Sequence, residues 1–202
     1  YAFDASCTTE ACCTQSMKVI TFVNQKGGSG KTTVVCSVGS HLANLGHQVA
    51  IRDLDSALSA QAYVESQKIP NLHLFDSGEE YDFLLIDSPG GITSGDLKTL
   101  TEKSHLVIVP IPPSGFDVRM AKATLGQIPA QTQVRGLVNK VFQGSKATEL
   151  VEEIVSQLGI ERFKTELKTR VCYTYLPLQG ISALTGPATK EIGSLTKEII
   201  DV

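Results

Sequence analysis

Short, mainly apolar runs alternate along this chain with segments of helical periodicity. The clearest runs span 19–23, 83–86, 106–109 and 134–138. A strand that is apolar at every position is typical of a sheet covered on both faces, and strands that alternate with helices indicate βαβ units. The sequence therefore predicts an α/β fold of three layers, in which helices flank a mainly parallel central sheet.

The spacing of apolar residues and the positions of glycine and proline predict the remaining elements. Helices are expected near 34–45, 57–65, 95–103, 116–127, 146–158 and 187–200, and further strands at 49–54, 72–75 and 163–167. Residues 17–202 contain no repeat or linker and are expected to form a single domain. Residues 1–16, which precede Met17, are interpreted as an N-terminal appendage, either a tag or a disordered tail.

Composition argues against several classes of protein. Three of the five cysteines lie in residues 1–16 and no C-x-x-C spacing is present, so neither a disulfide framework nor a zinc site is expected. Cys36 and Cys172 are interpreted as incidental thiols in a reducing cytoplasm. No apolar run approaches the ~20 residues of a membrane span. Residues 101–202 carry 12 basic and 10 acidic side chains, against 6 and 11 in residues 1–100. Any nucleic-acid contact is therefore expected in the second half of the chain.

A glycine-rich segment at 24–33 joins the first predicted strand to the first predicted helix. Glycines let such a loop curl so that its N–H groups cradle phosphate oxygens, and the start of the helix adds partial positive charge. Lys31 can reach the β- and γ-phosphates, and the Thr32 hydroxyl can bind Mg²⁺. The residues predicted to bind the nucleotide are Gly27, Gly28, Ser29, Gly30, Lys31, Thr32 and Thr33.

Carboxylates follow two of the predicted strands. Asp53 and Asp55 stand two positions apart on an extended chain, so both point to one face, at the sheet edge where ligands bind. Asp87 follows four apolar residues, an arrangement in which a buried strand delivers one carboxylate to the Mg²⁺ shell. Capping of the next helix is an alternative role for Asp55. We hypothesise that Gly90 and Gly91 let the loop after Asp87 move with the γ-phosphate.

The order Lys-Gly-Gly-x-Gly-Lys-Thr at 26–32 resembles the deviant Walker A box of the ParA/MinD family of ATPases. Gln25 stands where the usual P-loop pattern has glycine. The resemblance covers nearly all of residues 17–202 and is closest to short plasmid-partition ATPases that lack an N-terminal DNA-binding domain. It implies a P-loop NTPase fold, with ATP and Mg²⁺ as cofactors and hydrolysis of ATP to ADP and phosphate as the activity.

The resemblance also implies roles for individual residues. Lys26 reaches across a dimer interface to the phosphates of the partner's ATP, and Asp55 orients the attacking water. The predicted catalytic residues are Lys26, Lys31 and Asp55, and the residues predicted around Mg²⁺ are Thr32, Asp53 and Asp87. Pro112 belongs to a proline-rich segment that lines the nucleotide side of the dimer interface, or forms only a rigid turn. Asn139 hydrogen-bonds adenine, or ends its strand as a turn residue.

The plasmid-partition relatives bind DNA without sequence preference in the ATP state, and a partner on the cargo triggers hydrolysis. The resemblance therefore implies an ATP-dependent homodimer, a ParB-like adaptor or cargo protein, and a nucleoid-associated location. The DNA-binding residues are predicted to be Lys164, Lys168 and Arg170, with a solvated face as the alternative. A plasmid is the expected cargo, and a chromosome locus or a protein organelle such as a carboxysome is the alternative.

Four other functions compete with this interpretation. A MinD-like regulator would bind a membrane through a C-terminal amphipathic helix, but residues 190–202 mix lysines with acids, so no membrane partner is expected. A nitrogenase-type iron protein would need two cysteines between Cys36 and Cys172, where the sequence has none. A metabolic ligase would not need Lys26. A scaffold that binds ATP without turnover can be distinguished only by a hydrolysis assay.

Overall fold

In the part of the chain that the structure describes, a parallel β-sheet of eight strands forms the centre. The structure is a computed structural model that describes residues 16–142, 149, 152, 155, 156 and 159–202. In chain order its elements are β1 (Lys18–Phe22), α1 (Lys31–Asn44), β2 (Val49–Asp53), α2 (Ser59–Gln67), β3 (Leu72–Leu74), β4 (Phe83–Asp87), α3 (Ser94–Glu102), β5 (Leu106–Ile111), α4 (Gly115–Leu125), β6 (Val134–Val141), β7 (Glu161–Arg162), β8 (Leu167–Lys168), α5 (Cys172–Gln179), a 3₁₀ turn (Gly180–Ala183) and α6 (Pro187–Ile200).

The strand order is β3-β2-β4-β1-β5-β6-β7. β8 also pairs with β6, at Asn139 and Val141, after the residues of β6 that pair with β7. All of these pairs are parallel. In register, Phe22 of β1 and Asp53 of β2 both pair with Asp87 of β4. The chain runs from β1 toward one edge of the sheet and later returns to the other side of β1, so β1 lies at the switch point where ligands bind in open α/β sheets.

Helices cover both faces of the sheet. On β5, Leu106 and Ile108 pack into the cluster that contains α1, α2 and α6, whereas Val107 and Val109 pack into the cluster that contains α3 and α4. This alternation explains why β5 is apolar at successive positions, because each side chain meets a helical layer. The predicted three-layer α/β fold with a mainly parallel sheet is confirmed.

The closing helix α6 packs its apolar side against the sheet and α1. Ile192, Leu195 and Ile199 are at most 1% exposed, and Gly193 allows close approach to His41 of α1. The spacing of these three residues places them on one face of the helix. Within the described ranges, no helix is both long and apolar enough to cross a bilayer.

The strand predicted at 163–167 is wrong. Two-residue strands are found instead: β7 ends at Arg162, and β8 begins at Leu167, the last residue of the predicted strand. The backbone N–H groups of Lys164 and Thr165 donate to the carboxylate of Glu198 on α6 and are therefore lost to the sheet. Helix α5 was not predicted, because its apolar residues lack helical periodicity and Pro177 lies inside it.

Two predictions fall mainly or wholly on residues outside the described ranges. Of the helix expected at 146–158, only residues 149, 152, 155 and 156 are described, and these four are helical. Of the segment 1–16, only Ser16 is described. The interpretation of 1–16 as an appendage and of 17–202 as a single domain stays a prediction.

Candidate nucleotide-binding site

The glycine-rich loop between β1 and α1 forms a backbone concavity suited to an anion. Gly28 and Gly30 have φ of 75° and 96°, the left-handed region that glycine adopts readily. Gly30 immediately precedes α1, and a β-carbon on it would collide with the Asn139 amide. Among the described residues, no acceptor contacts the N–H groups of Ser29 and Gly30. Unpaired N–H groups at a helix start are the donors that bind phosphate in P-loops.

Lys31 turns inward from the first position of α1. The residue is 6% exposed, and its ammonium donates to the carbonyl of Asn24 at 3.1 Å. Burial lowers the pKa of Lys31, and the negative charges of Asp87 and Asp55 oppose that shift. The ammonium is thus held at the base of the loop, where it can move to a phosphate without crossing solvent.

Thr32 and Asp87 meet at the carboxyl end of β4. The Thr32 hydroxyl donates to Asp87 Oδ2 at 2.6 Å, and the other carboxylate oxygen, Oδ1, is buried with no hydrogen-bond partner among the described residues. A hydroxyl beside a carboxylate supplies the hard oxygen ligands that Mg²⁺ prefers. An unpartnered buried oxygen costs free energy unless a cation or water satisfies it. These residues therefore fit Mg²⁺, which Thr32 would bind directly.

Asp87 also makes the stability of the protein depend on pH. Burial raises the pKa of Asp87 to about 6, against the hydrogen bond from Thr32, which lowers it. The folded state therefore retains a proton that the unfolded state has already released, so the stability contribution of Asp87 falls as pH rises from about 4 to 6. The loss across this window is on the order of 3 kcal/mol.

We expect the substitution Asp87→Asn to remove this dependence. In EDTA and without nucleotide, the difference in free energy of unfolding between Asp87→Asn and wild type should shift in favour of the variant by on the order of 3 kcal/mol between pH 4 and 7.5. Urea unfolding at several pH values measures this difference. A difference that stays constant with pH would show that Asp87 does not titrate as its burial requires.

The structure gives different roles to Asp53 and Asp55. Asp53 accepts three backbone N–H groups, from Ala60 and Gln61 at the start of α2 (2.8 and 3.1 Å) and from Asp55 (2.9 Å). The helix-capping role that was an alternative for Asp55 therefore falls to Asp53. A place for Asp53 near Mg²⁺ stays a prediction, because its oxygens are directed to these amides.

Asp55 joins two loops at the mouth of the site. Its Oδ1 accepts the N–H of Ala57 at 3.0 Å, and its Oδ2 accepts the N–H of Gly90 at 3.3 Å. A β-carbon on Gly90 would come within 3.3 Å of the Gly27 Cα, so this loop lies directly against the glycine-rich loop. Asp55 is thus half-buried beside the phosphate cradle, as expected of a residue that positions water.

Lys26 turns outward, in contrast to Lys31. Its ammonium forms an ion pair with Asp117 of the same chain at 2.7 Å, and its side chain remains 38% exposed. Asp117 lies in the first turn of α4, where its carboxylate also accepts the hydroxyl of Ser114 and its N–H donates to that hydroxyl. The role predicted for Lys26 in a second subunit therefore requires that it leave Asp117.

Gln25 connects the glycine-rich loop to its surroundings. Its N–H donates to Thr124, and its side-chain amide donates to the carbonyl of Ile92 (3.2 Å) and to Gln127 (3.0 Å). Its carbonyl accepts the N–H of Gly91 at 2.9 Å. Sequence reasoning recorded Gln25 only as a departure from the usual P-loop pattern. The structure shows that it ties the loop to α4 and to the loop after β4.

A cavity of about 560 Å³ adjoins the loop and is large enough for a nucleoside. Its lining includes Thr33, Pro112, Phe142 and Tyr173. The structure thus places two predicted nucleotide-binding residues, Thr33 and Pro112, beside the cradle. Asn139 lines the same cavity, but its amide donates to the carbonyl of Ser29 at 2.8 Å.

The stretch predicted to contact DNA is largely neutralised by acids. Arg170 pairs with Glu191 at 2.5 Å and is 26% exposed, and Lys168 lies 3.6 Å from Glu166. Lys168 and Arg170 also line the nucleoside cavity, whereas Lys164 is exposed to solvent. The structure therefore does not bring the three predicted cations together as a free basic surface.

Known proteins resemble this chain over most of its length. A family model described as the CobQ/CobB/MinD/ParA nucleotide binding domain matches residues 20–182. "Maintenance of carboxysome distribution protein A" of Gloeobacter kilaueensis is 25% identical, with 83% of this chain and 84% of that protein covered. A septum site-determining protein MinD of Guillardia theta is also 25% identical, with 61% of this chain and 64% of that protein covered. The chain therefore spans less than two thirds of that MinD relative.

A solved structure shows the same fold. The "MinC:MinD cell division protein complex" of Aquifex aeolicus contains a chain that superposes with a TM-score of 0.75 at 20% identity, covering 92% of this chain and 96% of that one. At this identity the likeness concerns the fold alone.

Proposed function

This chain belongs to the family of CobQ/CobB/MinD/ParA nucleotide-binding domains, and from this membership we propose that it dimerises around ATP to position a cargo. The family predicted from the sequence is confirmed. The ParA and MinD groups of this family are ATPases that act with ATP and Mg²⁺, so the predicted activity and cofactors are confirmed at the level of the family. The dimer, the cargo and the residue roles are our proposals.

One observation carries the proposal: the two lysines of the loop point in opposite directions. Lys31 is 6% exposed and serves the cradle of its own chain, whereas the side chain of Lys26 is 38% exposed and lies on the surface beside it. A lysine kept at the mouth of the cradle is available to the nucleotide of a second subunit. Two such chains that face each other would complete both sites at once.

The residues of the site divide the work of hydrolysis. Thr32 and Asp87 would hold Mg²⁺, which neutralises charge on the phosphate oxygens. Lys31 stabilises the negative charge that develops as the γ-phosphoryl group leaves. Asp55 accepts a hydrogen bond from the attacking water and orients it in line. Without Lys26 from a partner this charge is only partly offset, so a single chain is expected to be a slow ATPase.

A positioning role is favoured by the relatives. One is named for carboxysome distribution and another for determining the septum site, and both names describe placement of a structure in the cell. We propose that the ATP-bound dimer binds non-specific DNA and that a ParB-like adaptor or cargo protein stimulates hydrolysis to release it. The location would then be cytoplasmic and nucleoid-associated, with a plasmid, a chromosome locus or a protein organelle as cargo.

The MinD relative makes a membrane-associated regulator the second candidate. Such a regulator needs a helix with a free apolar face. In the described part of the chain the closing helix α6 buries Ile192, Leu195 and Ile199 against the fold, so this helix has no such face to offer. The packing of α6 therefore argues only against α6 itself as a membrane-binding helix.

DNA binding is expected to require ATP and to use Lys164, the exposed cation of the predicted stretch. Asp55→Ala protein with ATP and Mg²⁺ should bind a fluorescent duplex of arbitrary sequence, and binding should vanish without nucleotide. Since each phosphate contact adds about 0.9 to the slope of log affinity against log salt, Lys164→Ala should lower this slope by about 2 per dimer. Fluorescence anisotropy across salt concentrations measures both effects.

The matched control for the DNA experiment is Lys103→Ala, because Lys103 is an exposed lysine at the end of α3, outside the predicted stretch. The slope for this variant should equal that of the parent protein. DNA binding that is equal with and without ATP would contradict the proposed ATP-dependent switch. An unchanged slope in Lys164→Ala would move the DNA contact away from this stretch.

A further inference from the structure

The end of β6 holds the outer side of the glycine-rich loop with two consecutive side chains. The Asn139 amide donates to the carbonyl of Ser29 at 2.8 Å, and the Lys140 ammonium donates to the carbonyl of Gly28 at 2.5 Å. These contacts join residues more than 100 positions apart in the sequence. Two successive carbonyls of the loop are therefore fixed by two successive residues of one strand.

The backbone at Lys140 is unusual for a lysine. Its φ is 61°, in the left-handed region that side chains other than glycine seldom adopt. The N–H of Lys140 donates to Asn139 Oδ1 at 2.9 Å, so the amide of Asn139 stabilises this conformation. An outlier of this kind persists where the surrounding contacts require it. Here the conformation directs a long side chain from the end of a strand back to the loop.

Fixing a carbonyl also fixes the neighbouring N–H, because the peptide unit is planar and trans. With the Gly28 carbonyl held outward, the N–H of Ser29 points into the cradle, and the Ser29 carbonyl sets the N–H of Gly30 in the same way. These are the donors that have no acceptor among the described residues. Donors that are oriented before the ligand arrives need no reordering when it binds.

We propose that Asn139 and Lys140 form a clamp that preorganises the phosphate cradle, so that both are positioning residues for the phosphates of the nucleotide. This inference rests on the proposed nucleotide site. It assigns Lys140 a role that sequence reasoning missed, and it offers for Asn139 a role different from the contact with adenine, which stays a prediction. Both ends of the Asn139 amide are engaged, one by Ser29 and the other by the N–H of Lys140.

The clamp and base recognition predict different ligand preferences. If the clamp orients the N–H groups that bind phosphate, its loss weakens the binding of ADP and of GDP by the same factor. The ratio of the two affinities then stays unchanged. If Asn139 reads the base, its loss weakens ADP more than GDP. The clamp also predicts that loss of the Asn139 side chain lowers nucleotide affinity as loss of the Lys140 side chain does, although Asn139 is uncharged.

Isothermal titration of ADP and GDP with Mg²⁺ tests the clamp on four variants. We expect Asn139→Ala and Lys140→Met each to lower both affinities about tenfold, on the order of the effect of one well-placed hydrogen bond. Lys140→Arg should restore most of the loss, since it keeps the donor and the charge. Lys103→Met, which removes an exposed lysine elsewhere, should bind as wild type does. The melting temperature of each variant, measured in parallel, separates loss of the fold from loss of the clamp.

Three results would speak against specific parts of this account. A selective loss of ADP in Asn139→Ala would return this residue to base recognition. Wild-type affinities in folded Lys140→Met protein would show that the contact with Gly28 orients nothing. Wild-type protein that binds neither nucleotide would overturn the proposed function itself, a result that differs from failure of the clamp alone.

Discussion

Asp55→Ala protein is expected to dimerise with ATP and Mg²⁺ but to hydrolyse ATP at least about 100-fold more slowly than wild type. Asp55 is beside the cradle, and among the described residues its carboxylate accepts the N–H groups of Ala57 and Gly90. Its removal takes away the acceptor that orients water but leaves Lys31, Thr32 and Asp87 in place. Binding of ATP should therefore survive while hydrolysis is lost. Phosphate release under saturating ATP and light scattering of the same samples measure the two effects.

The matched control for Asp55 is Asp96→Asn, because Asp96 is an exposed carboxylate in the first turn of α3. This variant should turn over ATP as wild type does. Asp55→Asn provides a second comparison, since an amide oxygen can still accept the N–H of Gly90. If Asp55→Asn hydrolyses as slowly as Asp55→Ala, the charge of the carboxylate is needed. Wild-type turnover in Asp55→Ala would remove Asp55 from the catalytic residues.

Lys26→Ala protein is expected to bind ATP but to remain monomeric and to lose about 1,000-fold in partner-stimulated hydrolysis. A cation supplied in trans to a transferring phosphoryl group contributes on this order. The loop and Lys31 do not depend on the Lys26 side chain, which is partly exposed and pairs with Asp117. The affinity for ATP should therefore stay within a few-fold of wild type. A substitution in the phosphate cradle itself would instead lower both the affinity for ATP and the rate of hydrolysis.

The ion pair of Lys26 with Asp117 predicts an opposite effect for the partner residue. In Asp117→Asn the ammonium is no longer held in its own chain, so the dimer should form at lower ATP concentration than in wild type. The amide can still accept the hydroxyl of Ser114, which preserves the cap of α4. Lys98→Ala, which removes an exposed ion pair with Glu102 on α3, is the control. Weaker dimerisation of Asp117→Asn would contradict the restraint by Asp117.

Most helices and strands and the phosphate cradle could be predicted from the sequence because both depend on local patterns of residues. Continuous apolar runs identify strands such as β4 and β5, which are buried on both faces. The glycine-rich loop could be predicted because its function requires backbone conformations that only glycine adopts easily, as at Gly28 and Gly30. The strand predicted at 163–167 was wrong because the carboxylate of Glu198, distant in the sequence, accepts N–H groups that a strand would use.

The partners of the site residues could not be predicted from the sequence. Lys26 meets Asp117 and Asn139 meets the carbonyl of Ser29, contacts that span about half of the chain. Which of two neighbouring aspartates caps α2 depends on the direction of the loop after β2, and Asp53 takes that place. Local patterns thus identify which residues can do the chemistry, whereas the fold decides what each one contacts.

The most direct test of the central claim is the mass of the protein with and without ATP and Mg²⁺. Size exclusion with light scattering should show an ATP-dependent dimer for Asp55→Ala, and a monomer under all conditions for the double variant Asp55→Ala, Lys26→Ala. That pair of results would establish that Lys26 completes the site of a second subunit. An Asp55→Ala protein that stays monomeric at saturating ATP, or a dimer that does not need Lys26, would contradict the account.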